Sequence, residues 1–227
     1  MVSRATKNRP TCGCSGNPQF DGLDPTYKRI LWVVIAINAG MFVVEMLAGR
    51  YAGSQALQAD ALDFLGDAFT YGLSLAVIGL SRKVRSTAAL LKGVSLFLMG
   101  LWVLGSTAYQ FVVLGLPEAD VMGMIGLLAL TANVASVLLL MRYKNGDANV
   151  RSVWLCSRND AIGNVAVIVA SFAVWFTASA LPDLVVAMVM AGLFLRSSQL
   201  ILRQAWQELQ NSEDLDALEK HGADHAH

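Results

Sequence analysis

Asp63 and Asp67 stand four residues apart, and Cys156 and Asp160 repeat that spacing much later in the chain. On a helix, where successive residues turn by ~100°, Asp63 and Asp67 lie ~40° apart on one face, with Asp60 ~60° to the side. Cys156 and Asp160 share a face in the same way, while Arg158 lies ~160° from both and points away from them, suited to pairing with another carboxylate or supporting the fold rather than to binding metal. Carboxylates and thiolates are ligands for divalent cations. Four such groups in a space with little water cannot all be charged unless protons or a cation neutralise them. A dication displaces protons from its ligands as it binds, and the protons return when it leaves, so one constellation serves both cation binding and proton exchange. Taken singly, each Asp is equally well a protonated or hydrogen-bonded tie between helices, and Cys156 a small apolar filler. Two such pairs on two segments of opposite direction favour the ligand reading.

The elements that must position these groups are membrane helices. Of 227 residues, 55% are hydrophobic and 15% charged, with a mean hydropathy of +0.51, against ~25% charged residues in an ordinary soluble domain. Lys+Arg and Asp+Glu both total 17, which leaves no basic surplus for nucleic acid. No glycine loop with a phosphate-binding Lys is present, so nothing points to an ATP-driven pump. A bilayer core takes ~20 apolar helical residues to cross. Residues 93–117, 121–141 and 161–182 pass without a charge, and 30–48, 54–80 and 184–201 have the length but carry Glu45, the three Asp residues and Arg196, respectively. The expected fold is therefore all-α, with six transmembrane helices joined by short turns such as Asn145-Gly146 and Pro182.

Six spans put both termini on one side, and fourteen of the 17 Lys and Arg residues fall there, the exceptions being Arg50, Arg158 and Arg196. The positive-inside rule makes that side cytoplasmic. The organisation expected is a polar arm over residues 1–27, a six-span domain over 28–210 and an acidic, His-bearing tail over 211–227. The first apolar run is too long and too late for a cleaved leader, so the first span is expected to be retained.

Residues 38–49, with Asn38, Glu45 and Gly49, and the run from Gly53 through Asp63 to Asp67 resemble the first two spans of the cation diffusion facilitator family, membrane exchangers that export divalent metals against protons. Asn149-Val-Arg151, Cys156, Asp160 and Gly163 resemble the family's fifth span, with Cys156 where a His is usual. The resemblance covers roughly residues 27–210 and implies a four-ligand tetrahedral site made by Asp63, Asp67, Cys156 and Asp160. It also implies a proton-coupled exporter rather than an enzyme, a homodimer, and residence in a bacterial plasma (inner) membrane. No prosthetic group is implied. The transported ion expected from thiolate and carboxylate ligands is Zn²⁺ or Cd²⁺, with Co, Fe and Mn as further candidates. Family members usually continue into a cytoplasmic metal-binding domain, and this chain reads as a short member without it.

Asp60, Glu45, Asn38 and Asn164 are candidates for auxiliary or proton-carrying roles; Glu45, Asn38, Asn133 and Asn164 could line the path or tie helices together, and the structural role is the favoured one for these four. Cys12 and Cys14 in the first arm, with His221, His225 and His227 at the other end, are candidates for peripheral metal capture, and no structural disulfide is expected. Two other readings stand beside the exporter: a metal channel or importer without obligatory proton exchange, and an intramembrane hydrolase with Cys156 as nucleophile. The hydrolase has no His in any span to act as its base.

Overall fold

The computed structural model describes the backbone of residues 25–77, 82–113, 115–143 and 148–224; the side chains of residues 77, 82, 83, 85, 148–156, 208, 209 and 211–224 lie outside that description. Among the described residues there are six helices: α1 (Pro25–Ala52), α2 (Gln55–Val77), α3 (Arg82–Val113), α4 (Ala119–Leu140), α5 (Ala148–Thr177) and α6 (Leu181–Asp224), with a 3₁₀ turn at Met141–Tyr143 between α4 and α5. Among the described residues there is no strand. Five of the helices are long and apolar enough to cross a membrane. The remaining one, α2, has 23 residues and three Asp side chains. At about 1.5 Å per residue it too reaches across a ~30 Å hydrocarbon core. The chain is an all-α membrane protein.

The least apolar candidate span is also the central one: α2 packs against all five other helices. The strongest pairings around it are α1 with α2, α4 with α5 and α3 with α6. Outward faces carry Leu47, Leu101, Leu127, Phe176 and Leu193, all exposed, as lipid-facing side chains must be when no water is present to solvate polar ones. Carboxylates on α2 are thereby held away from lipid, the one arrangement in which a bilayer tolerates them.

The turns on the side away from the termini are tight. Gly53 takes φ +66°, a left-handed conformation that a Cβ disfavours, and this reverses the chain between α1 and α2 within two residues. The amide of Glu118 donates to the carbonyl of Ala52 at 2.9 Å, tying the turn before α4 to the end of α1. On the terminal side the helices run past the apolar spans instead. α3 begins at Arg82 and α5 at Ala148, well before the charge-free stretches at 93 and 161. The sequence reading ends the last span near 201 and takes 211–227 as a tail; α6 continues to Asp224. Leu, Ala, Glu and Lys in that segment are good helix formers, and extending an existing helix requires no new nucleation.

Close approach of α1 and α2 depends on Gly49. A Cβ there would lie 3.0 Å from Gln58 Cγ and 3.1 Å from Leu57 Cβ. One turn earlier on the same face of α1, Glu45 is thus brought against α2.

Candidate functional site

Asp63, Asp67 and Asp160 come together where α2 and α5 pass in opposite directions. The carboxyl of Asp160 is within hydrogen-bonding reach of both Asp63 and Asp67, and all three are half-buried. Antiparallel packing of the two helices continues outward, where Ala56 and Leu57 of α2 cluster with Val167, Ala170 and Val174 of α5. The same register therefore holds over several turns. Arg158 is exposed, with its Nη2 3.4 Å from Asn159 Oδ1, on the far side of the helix from Asp160 as the spacing predicts.

A phenol caps the cluster on the terminal side. Tyr71, fully buried one turn beyond Asp67, donates its hydroxyl to Asp67 Oδ2 and lies 3.4 Å from Ser157 Oγ of α5. Below it Tyr71 packs with Tyr27, Leu31, Val34 and Leu140 in an apolar layer. Lys92 of α3 is near enough to act on Asp67 electrostatically. Sequence reasoning missed Tyr71, Ser157 and Lys92. Tyr71 was legible as the next i+4 step of the Asp63–Asp67 stripe, whereas Lys92 reads from sequence as one more charge at the terminal face.

A second carboxyl pair lies towards the opposite side. Glu45 of α1 and Asp60 of α2 are fully buried and neighbour one another. Asn38 and Asn164 are buried as well; Asn38 Nδ2 donates to the carbonyl of Val34 at 2.8 Å, and Asn133 of α4 is likewise buried. At the far end Asp183, in the first turn of α6, accepts from Ser54 Oγ at 2.6 Å and from the amides of Gln55 and Ala56 at 2.8 and 3.1 Å.

Among the described residues, no three His, Cys, Asp or Glu groups are drawn tightly enough to make a closed metal cage. Cys156 lies in α5, but its side chain is outside the described residues, as is that of His221. Cys12, Cys14, His225 and His227 also lie outside them. What the arrangement can do chemically follows from three clustered carboxyls flanked by a phenol and an ammonium: hold protons, or exchange them for a small cation.

A family model described as the cation efflux transmembrane domain matches residues 31–210. The zinc transporter ZitB of Escherichia coli is 27% identical over 199 residues, covering 82% of this chain and 63% of the relative. A cadmium, cobalt and zinc/H(+)-K(+) antiporter of Bacillus velezensis is 26% identical over 186 residues, covering 75% and 59%. The metal cation efflux system protein CzcD of Cupriavidus metallidurans is 24% identical over 197 residues, covering 82% and 60%. The chain thus spans about three fifths of the length of the curated relatives it matches. On the match over residues 31–210, the chain belongs to the cation efflux family of transmembrane proteins, the cation diffusion facilitators.

Proposed function

We propose that this protein exports a divalent transition-metal ion, Zn²⁺ or Cd²⁺, in exchange for protons. One observation carries the reading: Asp160 of α5 meets both Asp63 and Asp67 of α2 inside the membrane domain. Half-buried carboxyls from opposed helices inside a membrane domain are costly unless neutralised, and a dication and protons neutralise them alternately. In this reading Asp63, Asp67, Cys156 and Asp160 are the ligands. The ion enters from the face that bears the termini, which is cytoplasmic by its excess of Lys and Arg, and leaves on the other as the helices rock around the site. Carboxylate oxygen and thiolate sulfur together suit Zn²⁺ and Cd²⁺. The names of the relatives, which include zinc, cadmium and cobalt transport and proton antiport, support the same class. The working form is a homodimer in a bacterial inner membrane, with Cys12, Cys14 and the terminal His residues as peripheral capture groups.

The test is transport by the purified protein in proteoliposomes, with a metal-sensitive dye inside and a pH indicator reporting proton movement. A pH gradient alone should drive Zn²⁺ or Cd²⁺ movement, and metal movement should carry protons the other way. Metal flux without proton counterflow supports a channel or importer and overturns the exchange reading.

A further inference from the structure

We propose that Glu45, Asp60 and Asn164 form a second cation station, one step outward of the Asp63–Asp67–Asp160 cluster, through which the departing ion passes. Glu45 and Asp60 come from different helices, and each is at most 1% exposed. The two carboxyls lie within hydrogen-bonding reach of each other, and with both ionised neither Glu45 oxygen nor Oδ2 of Asp60 has a donor. Two buried carboxyls placed side by side cannot both be ionised unless a cation lies between them, and a shared proton holds the pair when it is absent.

The third group is independent of the acidic pair. Asn164 is fully buried, and neither its Oδ1 nor its Nδ2 has a hydrogen-bond partner. It follows Asp160 by four residues and so shares the face of α5 that Asp160 turns towards α2. The antiparallel register, in which Asp160 meets Asp63 and Asp67 while Val167 clusters with Ala56 and Leu57, brings Asn164 to the level of Asp60. Two carboxylates and an amide oxygen match the charge and donor preference of a dication, with weaker binding than a set that includes a thiolate.

Asp63 links the two stations. It acts electrostatically on both Glu45 and Asp60 while its side chain reaches Asp160. Three residues of helix separate Asp60 from Asp63, a rise of about 4.5 Å, so an ion moving outward keeps Asp63 within reach as it exchanges Asp67 and Asp160 for Asp60 and Glu45. Without the outer station, the ion would leave a charged site directly into the apolar layer of Ala56, Leu57, Met122 and Val167.

The inference rests on the proposed inner site, and one binding experiment separates the two. Equilibrium Cd²⁺ binding to the full chain in nanodiscs, with Cys12→Ser, Cys14→Ser, His221→Ala, His225→Ala and His227→Ala so that the peripheral groups take no ion, should show a tight and a weaker ion per chain. Glu45→Gln with Asp60→Asn should remove the weaker ion and keep the tight one. Asp67→Asn with Asp160→Asn should do the reverse. A chain without the peripheral groups that binds only one ion, or a Glu45/Asp60 variant of it that binds as it does, overturns the outer station; an Asp67/Asp160 variant that still binds both ions overturns the inner one. Should the double variant at Glu45 and Asp60 not fold, Asn164→Ala reads the same site: about a tenfold weaker second affinity supports it, in line with loss of a ~1.4 kcal/mol contact, and unchanged affinity overturns it.

Discussion

Asp183, at the start of α6, caps α2 from outside that helix. Its Oδ1 accepts from Ser54 Oγ at 2.6 Å and from the Ala56 amide at 3.1 Å, and its Oδ2 accepts from the Gln55 amide at 2.8 Å. Ser54 adds the ordinary local cap, accepting from the Leu57 amide at 3.1 Å. The first turn of the helix that carries Asp60, Asp63 and Asp67 is therefore held by a carboxylate from another element. Negative charge is favoured there by the unpaired amides and the helix dipole. Asp183→Ala leaves a buried hydroxyl and two amides without their acceptor, and a lost cap alone costs roughly 0.5–2 kcal/mol. Thermal unfolding in detergent should move down by several degrees, with Asp183→Asn falling between; an unchanged midpoint would show that the cap does not hold α2.

The inner carboxyls should behave as one unit in transport. Asp67→Ala and Asp160→Ala are each expected to abolish metal movement in proteoliposomes while membrane insertion and helix content by circular dichroism stay at the wild-type level. Full transport by either variant removes that residue from the ligand set.

Much of this was legible in the sequence because a bilayer punishes error so heavily. Long stretches of charge-free residues read as spans, and three Asp in one span called for a partner; spacing allowed Cys156 and Asp160 to be that partner, and the family resemblance implied it. The partnership of Glu45 with Asp60 did not follow, because relative rotation of α1 and α2 is set by close packing at Gly49, which helical periodicity does not encode. Asp183 reads from sequence as a first-turn acid of its own helix; its use by α2 is a property of how α6 enters the bundle. The extension of α6 to Asp224 escaped a reading based on apolar runs, since that part of the helix is polar.

Tyr71 competes with any cation for Asp67. Its hydroxyl occupies Oδ2, one of the oxygens a metal would take, and a hydrogen bond to a charged group is worth roughly 1.5–3 kcal/mol. Tyr71→Phe should tighten metal binding by about tenfold or more and slow turnover, because an ion held more tightly leaves more slowly. Calorimetric titration gives the first quantity and vesicle flux the second. Weaker binding in the Phe variant would mean that the phenol is itself part of the cation site.

Cys156→His exchanges a soft sulfur for a borderline nitrogen. The ratio of Cd²⁺ to Zn²⁺ affinity should fall, with transport retained. Competition binding between the two ions measures the ratio directly, and an unchanged value would place the thiol outside the ligand shell.

Competition between protons and metal fixes the sign of the pH dependence. If Asp63, Asp67 and Asp160 carry protons before the cation arrives, binding releases them, and acid opposes binding by mass action. Apparent affinity must then fall as pH falls, and the slope of log affinity against pH equals the number of protons displaced per ion. The same number must appear independently as protons released into weakly buffered solution when metal is added. Removing one proton-bearing ligand, as in Asp160→Asn, should flatten both measures together. A wild-type affinity that stays level across the neutral range, with no proton released, would mean that the carboxyls are already ionised before metal binds, and the exchange mechanism would lose its source of coupling.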